Sequence, residues 1–171
     1  GDDDWMGVVF GFQSPLGASD YFDTWLFDWK QSPQGAALEG MTLNRALGTI
    51  TNYGPTFGNH TNTPEFTVVA TNYGNNGWTR NVDHEIEVTY TVNRAIILVD
   101  GDQIFYVYDC FEPGRFGFYN YSQQDVFYSD FTYELFVDFN FEQAEICAGD
   151  TAYITFLEQC GANNNLDQFD E

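Results

Sequence analysis

The sequence predicts an all-β fold in which two antiparallel sheets pack face to face as a β-sandwich. Three observations indicate this: alternating apolar and polar segments, turn residues recurring about every 8–12 positions, and abundant aromatic side chains. The 17 Phe, 11 Tyr and 4 Trp are enough to fill the space between two sheets. With 171 residues, of which 43% are hydrophobic, the chain fits one domain over 1–160 and a polar, acidic tail or linker over 161–171.

About ten or eleven short strands are expected along the chain. Residues 5–12, WMGVVFGF, are rich in strand-forming side chains, and 84–92, HEIEVTYTV, alternate cleanly between apolar and polar positions. Residues 95–99 and 103–108 are predicted to form a hairpin, since Asp100-Gly101 between them is a strong turn signal.

The remaining elements are predicted with less regular patterns. Residues 115–121 continue as a strand, 126–141 form two strands or one long bent strand, and 152–157 form the last. The only helical candidate is 35–47, which Gly40 interrupts, so a turn or a strand at 41–47 is an equal alternative. Residues 48–80 contain long loops around one strand, EFTVVA, and long loops on a β scaffold often carry function.

The charge balance excludes several kinds of partner. Five Lys and Arg face 26 Asp and Glu, which gives a net charge of −21. Nucleic acid and anionic membranes are therefore unsuitable partners. No apolar run is long enough to span a bilayer, and no signal peptide is visible. Because the chain starts at Gly1, it is interpreted as a fragment of something longer, a monomeric module within a larger chain.

Electrostatic repulsion within such a chain would be reduced by salt or by bound calcium, which prefers carboxylate oxygens. An acidic, soluble surface without ion sites is an equal alternative. The residues predicted to bind calcium, as several ions, are Asp2, Asp3, Asp4, Asp20, Asp23, Asp109 and Asp130.

Each of these aspartates has a competing interpretation. The adjacent carboxylates of Asp2, Asp3 and Asp4 repel one another unless an ion holds them, but a disordered acidic N-terminus is the alternative. Asp20 and Asp23 are expected in a loop, where solvation alone explains them, and Asp109 is either a ligand or a turn former. Asp28, at an apolar position, is expected to be buried and paired with Lys30 or Arg115, or to bind a metal.

The three cysteines allow two interpretations. Either Cys147 and Cys160 form a disulfide and Cys110 is a free thiol, or all three are reduced and packed in the core. Without a CxxC pair, a zinc site is not expected.

The loops of 48–80 resemble an antibody paratope in composition, because Tyr and Trp supply rigid contact area and Asn and Gly supply adaptable hydrogen bonds. The predicted ligand-binding residues are Tyr53, Asn59, Asn72, Tyr73, Asn75, Asn76, Trp78 and Arg80. The alternative is that the Asn residues only form turns and that Trp78 belongs to the core.

Glu85 and Glu87 lie two apart on one strand face, a spacing that two-carboxylate glycosidases could use. The third carboxylate such enzymes require is replaced by Tyr90, which faces the other way, and no nucleophile triad stands out. A solvated pair of glutamates is the preferred interpretation, and the protein is predicted not to be an enzyme.

Several segments resemble the thrombospondin C-terminal domain: DDDWMGVVFGFQS at the start, LFDWKQ, GNHTNTPEF, GNNGW at 74–78, and GRFGFYNYSQQDVFYSDFTYE at 114–134. The resemblance covers residues 2–134. It implies an L-type-lectin-like (concanavalin-like) jelly roll with calcium sites and no catalysis, and it supports Asp130 as a partner of the opening aspartates. Similar domains occur in large calcium-dependent bacterial adhesins that capture peptides by their free C-termini.

The resulting functional hypothesis is a calcium-dependent adhesion module at the cell surface, outside the cell. Its first expected partner is a peptide or protein C-terminus bridged by calcium, since a carboxylate would otherwise have to rely on Arg80 against the net charge. The alternative is a glycan on a host or neighbouring cell. A jelly-roll glycoside hydrolase is third, and a purely structural spacer is fourth.

Overall fold

Eight antiparallel strands and one π-helical turn organise residues 3–134, the part of the chain that the computed structural model describes. The strands are β1 (Trp5–Phe12), β2 (Tyr21–Lys30), β3 (Gly40–Thr49), β4 (Phe66–Tyr73), β5 (Ile86–Thr91), β6 (Arg94–Val99), β7 (Asp102–Tyr108) and β8 (Arg115–Tyr121). The π-helical turn covers Gly54–Gly58.

The strands form two sheets. The larger has five strands in the order β4-β3-β2-β1-β8, and the smaller has three in the order β5-β6-β7. In the small sheet, Asp100 and Gly101 both have positive φ, 54° and 84°, as a tight hairpin turn requires. The prediction of an all-β protein with two antiparallel sheets is therefore confirmed.

The core between the sheets follows from alternation along the strands. In β2, Trp25, Phe27 and Trp29 point to the inner face and are buried. Side chains of the small sheet pack against this inner face. The ring of Phe105 in β7 lies 6.3 Å from that of Phe27 in β2, and the ring of Tyr90 in β5 lies 5.1 Å from that of Phe10 in β1. This cluster is the main hydrophobic core.

A second cluster lies on the outer face of the five-stranded sheet, the face turned away from the small sheet. Leu26, Ala46 and Phe66 are buried there beneath the chain segment 50–60, whose Phe57 packs on Phe66 with ring centroids 5.3 Å apart. The segment 50–60 therefore acts as a cover. Both faces of the central strands are consequently buried.

The structure corrects two predictions and decides between the alternatives left open for a third. Residues 126–134 contain no strand, because their aromatic side chains pack in a loop, while 135–141 and 152–157 lie outside the described residues. The candidate helix at 35–47 is a turn followed by β3, which is the strand alternative. Asp23 lies within β2 rather than in a loop, since β2 extends back to Tyr21.

The cysteine prediction is also wrong at one position. Cys110 is disulfide-bonded, so it is not a free thiol. Residues 3–134 contain no second cysteine, and Cys147 and Cys160 lie outside the described residues. The predicted Cys147–Cys160 disulfide therefore falls outside the part of the chain that the structure describes.

Candidate functional site

An open cleft of about 560 Å³ lies at one end of the five-stranded sheet. We call it the loop-end cleft, because four separate parts of the chain supply its walls: the start of β1, the loop after β2, the cover segment and the end of β8. The residues that line it are Asp4, Trp5, Gln34, Gly35, Ala36, Ala37, Gly54, Pro55, Gly58, Asn59, Tyr121 and Ser122.

Backbone contacts fix the cleft walls. Trp5 Nε1 donates a hydrogen bond of 2.9 Å to the Gly58 carbonyl, which ties the cover segment to β1. Opposite, Gln34 and Ala37 exchange two backbone hydrogen bonds of 2.9 and 3.0 Å, which makes a tight turn of the loop after β2. A Cβ added at Gly58 would lie 3.3 Å from the Tyr121 ring, so the small residue permits this close approach.

A buried lysine lies beneath the rim of the cleft. The Lys30 side chain is fully buried, and its Nζ lies 3.0 Å from Asp4 Oδ1 and 3.1 Å from the Asp3 carbonyl. A second carboxylate oxygen, Asp3 Oδ1, is 3.8 Å away. A buried ammonium is costly unless it is paired and hydrogen-bonded, so Lys30 and these aspartates fix the start of the chain against β2.

A second buried polar group lies further along the outer face. The Asp28 carboxyl is fully buried and accepts hydrogen bonds from the Thr42 hydroxyl and from Asn44 Nδ2, the latter at 3.2 Å. His60 Nε2 lies 2.9 Å from Asp28 Oδ2. The predicted partners of Asp28, Lys30 and Arg115, are therefore wrong, and the actual partner comes from the cover segment.

His60 also packs edge-on against Trp5, with ring centroids 4.0 Å apart. Because Trp5 lines the cleft and His60 bonds to Asp28, the packing of the cover segment and the shape of the cleft are linked through this pair of rings. His60 has a positive φ of 53°, a backbone conformation that non-glycine residues adopt only where the surroundings require it.

The residues predicted to bind calcium do not converge within 3–134. Asp3 and Asp4 surround Lys30, while Asp23 pairs with Arg45 at 2.5 Å. Asp20 accepts a hydrogen bond of 2.6 Å from the Tyr53 hydroxyl.

The other two described aspartates are engaged locally: Asp109 accepts from the Cys110 N–H at 2.6 Å, and Asp130 accepts from the Ser129 hydroxyl at 3.0 Å. Asp2 lies outside the described residues. No group of three His, Cys, Asp or Glu in the described part is arranged to hold a metal ion. These residues alone do not fit a calcium site, and calcium binding stays a prediction.

The predicted ligand-binding residues fall in three places. Asn59 lines the loop-end cleft. Tyr53 is not among the residues that line the cleft, and its hydrogen bond to Asp20 raises the pKa of the Tyr53 phenol. The other six belong to residues 72–80, at the end of β4 and in the loop that follows it.

Most of the 72–80 residues hold their own loop in place. Asn76 Nδ2 donates to the Asn72 carbonyl and to Asn72 Oδ1, both at 2.8 Å. Trp78 is buried in the main core, and its Nε1 donates to the Asp4 carbonyl at 3.1 Å. Arg80 reaches Gln31 Oε1 at 3.3 Å. The core alternative for Trp78 therefore has direct support.

Tyr73, Asn75 and Arg80 are the exposed members of this group, and the first two make no contact described so far. Partial burial, with the nearby Asp28 carboxylate, raises the pKa of the Tyr73 phenol. Nothing in their contacts assigns them to a ligand.

A smaller cavity of about 280 Å³ opens between the two sheets beside Trp29 and Asn76. His84 in its wall is held from both sides: Nδ1 lies 2.7 Å from Asp100 Oδ2, and Nε2 accepts from the Thr79 N–H at 3.2 Å. The hydrogen bond from His84 lowers the pKa of the Asp100 carboxyl. Since both ring nitrogens are engaged, His84 has a structural role here.

Glu85 and Glu87, the possible enzymatic pair, are both exposed at the edge of the small sheet. Ile86, which lies between the two glutamates, and Val88, which follows Glu87, pack on the core. The two glutamates thus lie away from the loop-end cleft, which the other sheet supplies.

Sequence reasoning missed Lys30, His60, Tyr121 and Ser122 as parts of the site. A signal for the first was present: Asp28 and Lys30 are two apart on an otherwise apolar stretch, so they must share one face of a strand. The closeness of residues 58–60 to residue 5 has no local signal, because it depends on how the cover segment crosses the sheet.

No family model, no curated protein and no solved structure matches this chain. The resemblance to thrombospondin C-terminal domains therefore stays a prediction. Among the described residues, no helix is both long enough and apolar enough to cross a membrane.

Proposed function

We propose that this protein is a non-catalytic binding module that holds a neutral, hydroxyl-rich ligand, a glycan, in the loop-end cleft. The observation that supports this most is the lining of the cleft. It combines amide, hydroxyl and backbone groups with aromatic and apolar surface, and Asp4 is the only charged residue among the described residues that line it.

Each part of the lining suits a sugar. The Gln34 and Asn59 amides can donate and accept hydrogen bonds, and the Ser122 hydroxyl can do both. Asp4 can accept from ligand hydroxyls while it remains bonded to Lys30. The Tyr121 ring offers a flat apolar surface with a polar tip, which is the usual role of Tyr at binding sites.

An anionic ligand suits this lining less well. A carboxylate placed in the cleft would lie near Asp4, within a protein of net charge −21. Two like charges about 4 Å apart repel each other by about 1 kcal/mol in bulk water and by about 4 kcal/mol near a protein surface. A neutral ligand avoids this cost.

The test is an array of neutral oligosaccharides and of peptides, probed with the full-length protein in EDTA. We expect oligosaccharide binding, which Asn59→Ala and Tyr121→Ala each weaken by about tenfold through loss of one hydrogen bond or one aromatic contact. Tyr108→Ala is the matched control, since Tyr108 is 72% exposed and lies on β7 of the small sheet.

Equal binding by all three variants would place the ligand elsewhere. Binding to peptides alone would exclude the glycan. Turnover of any bound oligosaccharide, lost in Glu85→Gln or Glu87→Gln, would revive the glycoside hydrolase alternative.

Calcium-dependent capture of a peptide carboxylate is the second candidate. The net charge of −21 favours it, since a bound divalent cation would both relieve that charge and attract an anion. Its test is the same array with calcium added, together with calorimetric titration of EDTA-treated protein. Peptide hits that need calcium would support this candidate, whereas no binding of calcium at millimolar concentration would remove it.

We further propose, from the sequence resemblance, that the sandwich has jelly-roll connectivity and that the module belongs to an extracellular adhesin. The polar, open character of the cleft suits reversible attachment to a surface glycan. Binding of the full-length protein to cells before and after enzymatic removal of surface glycans tests this setting.

A further inference from the structure

The smaller cavity, between the two sheets, has a lining of its own. We call it the inter-sheet cavity. Among the described residues, none lines both this cavity and the loop-end cleft. Its volume of about 280 Å³ lies just below the range of about 300–1,000 Å³ that is usual for small-molecule sites. A ligand the size of one amino-acid side chain therefore suits it.

One side of the inter-sheet cavity is apolar. Met41 and Val99 are buried there as members of the main core, and Ile104 packs on the same core. The Trp29 ring completes this side and is only 4% exposed. Aromatic rings attract cations that lie within about 6 Å of the ring centre. This side therefore suits both an aliphatic chain and a positive charge at its end.

Several hydrogen-bond donors in the cavity wall are already used within the protein. Trp29 Nε1 donates to the Asn76 carbonyl at 2.7 Å, and the Gly77 N–H donates to Glu39 Oε1 at 3.0 Å. The Asn76 amide donates in turn to the carbonyl and to Oδ1 of Asn72. These hydrogen atoms are not left for a ligand.

His84 is committed in the same way. The Thr79 N–H donates to Nε2 of the ring at 3.2 Å, so the ring hydrogen lies on Nδ1, which donates to Asp100 Oδ2 at 2.7 Å. In this tautomer the His84 ring is uncharged, and the negative charge of Asp100 is not neutralised. No Lys or Arg is among the described residues that line the cavity.

Acceptor atoms, in contrast, remain available in the wall. Asp102 lies at the start of β7, and its exposed carboxylate makes no hydrogen bond or ion pair with the described residues. Asn76 Oδ1 is buried without a hydrogen-bond partner among them, and such atoms are uncommon in folded proteins. Two carboxylates, of Asp100 and Asp102, and an amide oxygen thus outnumber the available donors. The cavity matches a ligand that brings both hydrogen-bond donors and positive charge.

We propose that the inter-sheet cavity binds a primary ammonium group on an unbranched alkyl chain, as in a lysine side chain or a free aliphatic amine. The ammonium supplies three donors and a positive charge to Asp100 and Asp102, while its chain lies along Met41, Val99 and Ile104. The net charge of −21 attracts a cation and repels an anion. This site is separate from the glycan site proposed for the loop-end cleft and does not depend on it.

NMR titration of the labelled full-length protein with pentylammonium and with 1-pentanol at pH 7 tests the proposal. The two probes share an alkyl chain and differ in charge. We expect pentylammonium to shift the signals of the Trp29 indole, the Gly77 amide and the Ile104 methyl groups. Its dissociation constant should be about tenfold lower than that of 1-pentanol, because a hydrogen bond to a carboxylate is strengthened by charge. Since this comparison uses the unmodified protein, a folding defect cannot confuse it.

Two variants with the same change in net charge separate the cavity from the overall negative charge. Asp102→Asn is expected to weaken pentylammonium binding by about tenfold, since it removes the carboxylate that is free to pair with the ligand. Asp125→Asn is the matched control, because Asp125 is exposed after β8 and does not line the cavity. It should change the affinity by less than about twofold, because salt screens a distant exposed charge.

A third probe, Nα-acetyl-lysine methylamide, distinguishes the two sources of the ammonium group. Binding at least as tight as that of pentylammonium would indicate the lysine side chain of a partner protein. Weaker binding at the same residues would indicate a free aliphatic amine.

Four results would overturn the proposal. Equal affinity for the two five-carbon probes would show that the cavity does not select charge, and no shifts at millimolar pentylammonium would show that it does not bind the group. Equal weakening by Asp102→Asn and Asp125→Asn would assign the attraction to the overall charge of the protein. Shifts concentrated at residues 34–37 and at Asn59 would place the amine in the loop-end cleft.

Discussion

At the scale of single residues, the most demanding position is Asp28. A carboxyl group that is fully buried must find hydrogen-bond partners or lose several kcal/mol. Asp28 finds them on two neighbouring elements, Thr42 and Asn44 of β3 and His60 of the cover segment. The carboxyl therefore specifies where the cover segment crosses the sheet, which a leucine at the same position could not do.

Asp28→Ala is expected to lower the free energy of unfolding by about 3 kcal/mol or more, because it leaves several buried polar groups without a partner. Asp23→Ala is the matched control on the same strand. It removes a partly exposed ion pair to Arg45 and should cost only about 1 kcal/mol or less. Urea denaturation of both variants measures the difference. Similar losses for the two would contradict the structural role assigned to Asp28.

A second prediction concerns Tyr119 and the dependence of stability on pH. Its hydroxyl is buried without a hydrogen-bond partner among the described residues. Burial first, and then the Asp28 carboxylate, raises the pKa of the Tyr119 phenol well above its ordinary value of 10.0. The folded state thus retains this proton at a pH where the unfolded chain releases it. The associated stability is complete below pH 10 and decreases as the pH rises further.

We expect Tyr119→Phe to have little effect at pH 7 and to flatten the loss of stability above pH 10 by up to about 1.4 kcal/mol per pH unit. Tyr133→Phe, at a largely exposed position, is the control and should follow the parent. The test is the free energy of unfolding of the parent and both variants, measured between pH 7 and pH 11. A parent and a Tyr119→Phe variant with identical pH profiles would contradict the assignment.

At the scale of elements, the loop after β4 packs tightly against the loop after β2. A Cβ on Gly77 would lie 1.8 Å from the Gln31 carbonyl oxygen, a distance that requires the backbone to move. Gln31 Nε2 also donates to the Trp78 carbonyl at 3.2 Å. The two loops therefore form one unit, which extends from Trp78 in the core to Gln34 in the wall of the cleft.

Gly77→Ala should therefore destabilise the protein by about 1–3 kcal/mol, the usual range for overpacking. It should also weaken ligand binding in the cleft, because the loop after β2 must shift. Gly54→Ala is the control: nothing lies within 4 Å of the added methyl group, so stability should change by less than about 0.5 kcal/mol. Thermal unfolding of both variants, with array binding of Gly77→Ala, tests this, and a neutral Gly77→Ala would disprove the tight packing.

The elements also show how far sequence patterns reach. The hairpin of β6 and β7 was predictable, because Asp100-Gly101 is a local signal between two apolar runs. β2 was not predicted as a strand, since both its faces are buried and the polar residues Asp23, Thr24, Asp28 and Lys30 break its apolar pattern. Residues 126–134 have the composition of a strand, yet they lie as a loop whose aromatic rings stack on β8.

The candidate site was predictable only in part, for a similar reason. Asn59 was identified from loop composition. Its neighbours in the cleft, Trp5 and Tyr121, come from strands far away in sequence, and only tertiary structure brings them together. The asparagines at 72 and 76 had the right composition for a ligand loop, but their amides are used within the loop itself.

At the scale of the whole molecule, the net charge of −21 acts on every part of the fold. Only a few of the negative charges meet a positive side chain, since the chain has just five Lys and Arg. Self-repulsion then opposes the compact state, and salt screens it because the Debye length shortens from about 30 Å at 0.01 M to about 3 Å at 1 M.

The melting temperature is therefore expected to rise steadily as sodium chloride increases over this range. Calcium chloride at matched ionic strength separates screening from specific binding: a further rise would indicate ion sites, and an equal rise would indicate screening alone. Differential scanning calorimetry of EDTA-treated protein gives both curves. A melting temperature that falls with salt would contradict the repulsion argument.

Binding of a neutral ligand in the loop-end cleft can be mapped residue by residue with NMR. The ¹⁵N-labelled full-length protein would be titrated in EDTA with the tightest-binding neutral oligosaccharide from the array. We expect amide shifts to concentrate at residues 34–37, at Gly58 and Asn59, and at Ser122, while β5 and β6 stay unchanged. Shifts confined to the small sheet, or no shifts at millimolar oligosaccharide, would contradict it.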